Sequence, residues 1–174
     1  FVRAKDVLSE KKLIDIDVYP DSRLGVSMRY QDSSSIRADA FLYDFGLPSI
    51  SEDLRSPEVI QFYQGACQDV YTTAKMGQYL ELQTLTSQYL HVPPDAPEPF
   101  CLWAAFTYRQ APGPKVFYTG WQTSHLALRV DHGLINKVRY SYPEIEGMDK
   151  IGFKGFLIFL MEWTTAVQEY YTSG

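Results

Sequence analysis

His125, Arg129, Lys137 and Arg139 crowd into one short stretch of a 174-residue chain whose net charge is −5. Asp131-His132-Gly133 reads as a turn between two alternating runs, so these side chains fall on the two arms of a β-hairpin. With that turn at the centre, Arg129 pairs near Ile135, Ala127 near Lys137 and His125 near Arg139. Cross-strand neighbours on one face lie roughly 5 Å apart. The spacing predicts a basic patch able to hold a carboxylate, a phosphate or an acidic segment of a partner. The plainer reading is a solvated outer face in which each cation meets an Asp or Glu.

Nucleophilic chemistry needs a base within reach of a hydroxyl or thiol. A hydrolase built from His125, Asp131 or a cysteine on the 125–132 hairpin is therefore the alternative function. Cys67 and Cys101 both sit in apolar patterns, where a thiol is hard to ionise. Three readings of the pair stand open: two separately buried small hydrophobes, a disulfide, or a reactive thiol. His91, His125 and His132 with Asp131 have the right types for a metal, but only Asp131 and His132 are sure neighbours, and adjacent strand residues point apart. No metal is expected. Phosphate-loop, dinucleotide, zinc-protease, nucleophile-elbow and EF-hand patterns are all missing, so no cofactor is expected either.

The chain has thirteen tyrosines and three tryptophans. Tyr43, Trp103 and Trp121, with Tyr118, are candidates for the wall of a ligand groove, since aromatic rings dominate such walls. Their plainer role is core and core edge. The apolar loop 44–48 is a candidate rim.

Positioning these groups requires a sheet. Residues 1–12 read as a loose lead-in or short helix. Ile14, Ile16 and Val18 alternate with polar residues as in a half-buried strand. The runs 26–30 and 36–43 form a hairpin. Ser56-Pro57-Glu58 starts a helix, with a hydroxyl for the free N–H groups, proline where its missing N–H costs nothing, and a carboxylate at the positive end of the dipole. Val59, Tyr63, Ala66, Val70 and Ala74 give that helix its buried stripe, Cys67 lies at the stripe's edge, and Gly77 stops it. Leu80, Leu82 and Thr84 mark another strand, and the proline-rich stretch 92–99 an exposed connection. The segment 100–108 is apolar on both faces, as in a central strand covered on both sides. After a turn at 111–114, residues 116–130 read as a strand broken near Gly120, with an exposed edge at 116–119. From 148 to 171 the pattern is helical, its firm part starting near Gly155 because Gly152 and Gly155 weaken the first turns.

Strands, a helix, more antiparallel strands and a long apolar helix predict an α+β fold, an antiparallel sheet packed by helices. Residues 1–174 fit one domain. An acidic balance argues against nucleic-acid binding, and there is no apolar run of about 18 residues to span a membrane.

The stretch Leu24-Gly25-Val26-Ser27-Met28-Arg29-Tyr30, the strand 36–43, the stretch Asn136-Lys137-Val138-Arg139-Tyr140-Ser141-Tyr142-Pro143 and the terminal apolar helix resemble PsbP-like domains. That group includes the photosystem II accessory protein and DcrB-type bacterial envelope proteins. The likeness runs from about residue 13 onward. It implies an α/β/α sandwich, and an accessory or binding role more often than an enzyme, with no shared catalytic residues to transfer. The expected function is a non-catalytic exported module that binds a partner protein or a small molecule. Its expected location is periplasmic or secreted, with the cytoplasm as alternative.

Overall fold

The computed structural model describes residues 5–113, 116 and 118–172. Eight strands form one sheet: β1 (Val7–Leu8), β2 (Lys11–Val18), β3 (Val26–Gln31), β4 (Arg37–Tyr43), β5 (Tyr79–Leu90), β6 (Cys101–Gln110), β7 (Trp121–Asp131) and β8 (Leu134–Pro143). Their spatial order is β1-β2-β3-β4-β8-β7-β6-β5, and every neighbouring pair is antiparallel. Two meanders thus meet at one seam, β4 against β8. Helix α1 (Pro57–Lys75) follows the first meander and helix α2 (Met148–Thr172) the second.

The α+β antiparallel reading holds. The start of the chain differs from the expectation: within 5–12 lies a two-residue strand paired to β2, neither a helix nor a loose lead-in. Ile14, Ile16 and Val18 are about half exposed or more, at 52, 48 and 60%. The alternation was read correctly as a strand, but α2 does not reach that end of β2 to cover it. Of the stretch 116–130, only Trp121 onward is strand. The edge expected at 116–119 is not one, since Val116, Tyr118 and Thr119 are not strand and Phe117 lies outside the described residues. So does Pro114 of the turn expected at 111–114.

Helix α1 begins as its first residues dictate. The Ser56 hydroxyl accepts the Val59 N–H at 3.3 Å, and Pro57 and Glu58 occupy the first turn. Val59, Tyr63, Ala66 and Val70 are buried against Leu102, Ala104, Phe106 and Tyr108 of β6 and Leu126, Leu128 and Val130 of β7. Side chains alternate faces along a strand. From the opposite face of those strands Cys101 and Ala127 join a second core with Met28 and Tyr30 of β3, Ala38 and Ala40 of β4, and Val138, Tyr140 and Tyr142 of β8. Phe156, Phe159, Leu160, Trp163 and Val167 of α2 complete it.

Gly152 and Gly155 lie inside an unbroken helix. They are needed for close approach: a Cβ at Gly152 would land on the ring of Tyr142, and one at Gly155 on the hydroxyl of Tyr140. Their helix-weakening tendency is offset by the packing they permit. Cys67 and Cys101 are both free, Cys67 against the α1 core and Cys101 fully buried in the α2 core.

Two glycines therefore respond oppositely to alanine. Gly152→Ala is expected to destabilise the fold by about 1–3 kcal/mol through overpacking. Gly65→Ala, in α1 with nothing within 4 Å of the added carbon, is expected to stabilise it by roughly 0.5–1 kcal/mol. Urea unfolding of the two variants checks both signs.

Candidate functional site

The hairpin register decides where the expected basic patch goes. Asp131 pairs with Leu134, leaving a two-residue loop of His132 and Gly133. Both have positive φ, 53° and 74°, the geometry that suits a tight hairpin between twisted strands. The pairs are then Arg129 with Asn136, Ala127 with Val138 and Leu126 with Arg139. This is one residue from the expected register, and one residue exchanges faces. His125 and Arg129 face α2, whereas Lys137 and Arg139 face the α1 side. The four do not form one patch.

Each of the four has its own surroundings. His125 is 4% exposed and stacks on Phe156 at 4.8 Å. Its Nδ1 accepts the Trp103 indole N–H at 3.2 Å, and its Nε2 lies 3.3 Å from the Tyr142 hydroxyl. With Nδ1 accepting, the proton sits on Nε2 and no lone pair is left for a general base. Burial pulls its pKa down to about 4. Arg129 pairs with Asp131 at 2.8 Å and lies over Phe100. Asp131 accepts the Asn136 amide at 3.0 Å, and Asn136 accepts the Trp163 indole N–H at 2.6 Å. That chain of bonds ties α2 to the hairpin. Lys137 has its ammonium 4.3 Å from the Phe41 ring centre and 5.5 Å from that of Tyr43. Burial lowers its pKa, opposed in part by Asp69.

The aromatic candidates are also separated. Trp103 lines an open groove of about 450 Å³ with His125, Tyr142 and Phe153, bordered by Glu144 and Asp149. One Glu144 oxygen is held by the hydroxyls of Thr107 and Thr123. Tyr43 packs edge-on to Phe45 at 4.8 Å, and Phe45 lies 5.4 Å from Phe62 of α1, so the loop 44–48 packs against the helix while Phe45 stays partly exposed. Trp121 begins β7 opposite Arg109. His91 bonds the Ala96 carbonyl, and His132 stacks on Tyr171. The three histidines are therefore apart, and among the described residues no group of three metal-ligating side chains occurs.

Arg139 stands out. On the α1 side the helix covers β5 to β7, and β2 to β4 present polar side chains instead. There Asp15, Arg29, Asp39 and Arg139 stand in register across four strands. Both Asp39 oxygens are taken: Arg29 reaches one at 2.9 Å, and Arg37 reaches both, at 2.7 and 2.9 Å. Arg139 closes the row, without an ion pair among the described residues. Its Nε donates to the Ser124 hydroxyl at 3.0 Å, and its guanidinium lies 5.0 Å from the Tyr79 ring centre. Its Nη2 is shut off from solvent with no hydrogen-bond partner among the described residues. An orphaned charged donor is costly to keep in a fold.

That arginine lines a cavity of about 310 Å³ on the seam between the meanders. Arg37, Asp39, Tyr79, Tyr108 and Gln122 share it. Tyr79 and Tyr108 stack at 4.1 Å. Of the expected residues Arg139 and Tyr118 are here. Arg37 and Asp39 were legible as the polar face of β4. Nothing in the pattern linked them to Tyr79 and Tyr108, which lie on the other meander.

No protein-family model matches the sequence, and a search of curated proteins finds no match. Among solved structures the chain is similar to the solution structure of cyanobacterial PsbP (CyanoP) from Synechocystis sp. PCC 6803. The identity is 10% and the TM-score 0.47, over 83% of this chain and 77% of that one.

His125 makes stability pH-dependent with a defined sign. Its folded pKa of about 4 lies below the ordinary 6.5. Between those values the unfolded chain takes up a proton that the folded chain refuses. Stability present above pH 6.5 is therefore lost as pH falls toward 4, by an amount of order 3 kcal/mol. Urea unfolding of wild type and His125→Gln over this window is expected to show a slope that the variant lacks; carboxylates common to both cancel in the comparison.

Proposed function

We propose that this protein is a non-catalytic binding module whose ligand is a small polar molecule held in the Arg139 cavity. The observation that carries this is Arg139, a partly buried cation at the wall of a cavity of about 310 Å³ that makes no ion pair among the described residues. A cation without a counter-charge is matched when a ligand carrying one arrives, and that pairing supplies binding free energy. The size suits a small molecule, at the lower end of the range of about 300–1,000 Å³ for ligand pockets.

A binding role rather than hydrolysis is supported by the state of His125, whose ring nitrogens are both engaged by Trp103 and Tyr142. The accompanying architecture is an α/β/α sandwich of the PsbP-like kind, supported by the two separate cores, one containing α1 and the other α2. The exported location implied by the sequence likeness belongs to the same proposal, and fractionation of expressing cells is its test.

Screening the protein against small carboxylates, phosphates, sugars and amines by thermal shift and NMR checks the function. At least one class is expected to raise Tm and to move the ring signals of Tyr79 and Tyr108. Ligand at a hundredfold over Kd stabilises by about 2.7 kcal/mol. Arg139→Met is expected to keep the fold and lose the shift, and no compound is expected to be turned over. If all four classes leave those ring signals in place, the cavity is not a binding site.

A further inference from the structure

The charges around the cavity can be counted. Arg37, Asp39 and Arg139 are the charged side chains in its described lining. Asp39 has no free oxygen to offer, since Arg29 and Arg37 occupy both. The described lining therefore carries one net positive charge, and Arg139 is the cation in it without an ion pair among the described residues. That matches a single negative charge on the ligand. A planar fork of N–H donors is best matched by a carboxylate or a phosphate.

The charge count separates these anions. One net positive charge is balanced by a monoanion, whereas a phosphate monoester carries about −1.5 to −2 at neutral pH. Phosphate sites typically use a helix N-terminus, with several backbone N–H groups aimed at the ligand, and the described lining of this cavity includes no helix residue.

The rest of the lining is neutral and doubly capable. Gln31, Gln78, Gln110 and Gln122 all border the cavity. An amide offers both donor and acceptor, as does an alcohol. Two of these amides are already committed as donors, Gln110 to the Gln78 carbonyl at 3.1 Å and Gln122 to the Tyr118 carbonyl at 3.0 Å. They keep their oxygens to accept from hydroxyl groups. The stacked Tyr79 and Tyr108 rings add an apolar patch for C–H groups.

We infer that the ligand is a polyhydroxylated monocarboxylate of single-ring size, the sugar-acid class, with its carboxylate on Arg139 and its hydroxyls on the glutamines. This rests on the reading that the cavity takes a small molecule.

Calorimetric and NMR titration of the full chain with D-glucuronate, D-glucose and D-glucose 6-phosphate tests it. Glucuronate is expected to bind at least tenfold more tightly than either of the others and to shift the Arg139 Nε–H and the Tyr79 and Tyr108 ring signals. Arg139→Lys keeps the charge but loses the fork, and is expected to weaken glucuronate at least tenfold. Gln31→Leu, which leaves the charge count unchanged, is expected to weaken it several-fold with an unaltered Tm. Equal or tighter binding of glucose or of the sugar phosphate overturns the sugar-acid assignment, as does the absence of any glucuronate response. If the broader screen above still finds a compound that moves the same ring signals, only this assignment fails; if it finds none, the cavity reading fails with it.

Discussion

The register of β8 between β4 and β7 is the constraint on which the other features rest. Ala40 pairs with Val138 on one side and Ala127 pairs with Val138 on the other. All three therefore point to one face and are buried in the same core. The same pairing sends Lys137 and Arg139 to the opposite face, where Arg139 meets Asp39 across the seam. A shift by one residue would put Val138 and Tyr140 on the polar side and bury two cations under α2. Burial of a large apolar side chain contributes about 1.5–3 kcal/mol, so several such losses would exceed the whole stability of an ordinary domain. The His132-Gly133 loop fixes that register at one end, and the bonds from Asp131 through Asn136 to Trp163 hold it against the helix.

The two faces of the sheet are treated differently. Under α2 small and large residues meet: Ala38 lies opposite Tyr140 and Ala40 opposite Val138, and Gly152 and Gly155 meet Tyr142 and Tyr140 from above. This allows the helix to lie close and bury its rings. On the other face α1 stops short of the first meander. The uncovered strands carry a charged row whose members neutralise one another, except at its inner end. The cavity forms where the covered and uncovered halves meet, which explains why its lining is drawn from both meanders.

Much of the fold was legible from period and punctuation. The cap of α1, its stripe, the β3–β4 hairpin and the two-faced β6 follow from local rules that tertiary contacts only confirm. Three features were not. The lead-in strand is two residues long and pairs through its backbone, so no side-chain pattern announces it. Gly152 and Gly155 looked like weak points because their value lies in the tyrosines opposite, far away in sequence. The candidate patch failed on one residue of turn length, as a three-residue loop and a two-residue loop give opposite faces to the returning strand. Of the basic residues expected to act together Arg139 alone lines the cavity, joined there by the aromatic candidate Tyr118; its companions Asp39 and Tyr79 depend on which strands become neighbours.

The division of the two cores has an outcome for how the chain assembles. The buried residues of the core under α1 all lie between Ile50 and Ile135, with Tyr43 packed against them from just before that stretch. The core under α2 joins Leu8, Met28 and Tyr30 to side chains as distant as Val167. Closing so long a loop is entropically slow. On a ribosome the middle of the protein can collapse while the first meander still waits, its apolar side open, for a helix that is among the last parts to be synthesised. The interval between those two events is when this polypeptide is most exposed to aggregation.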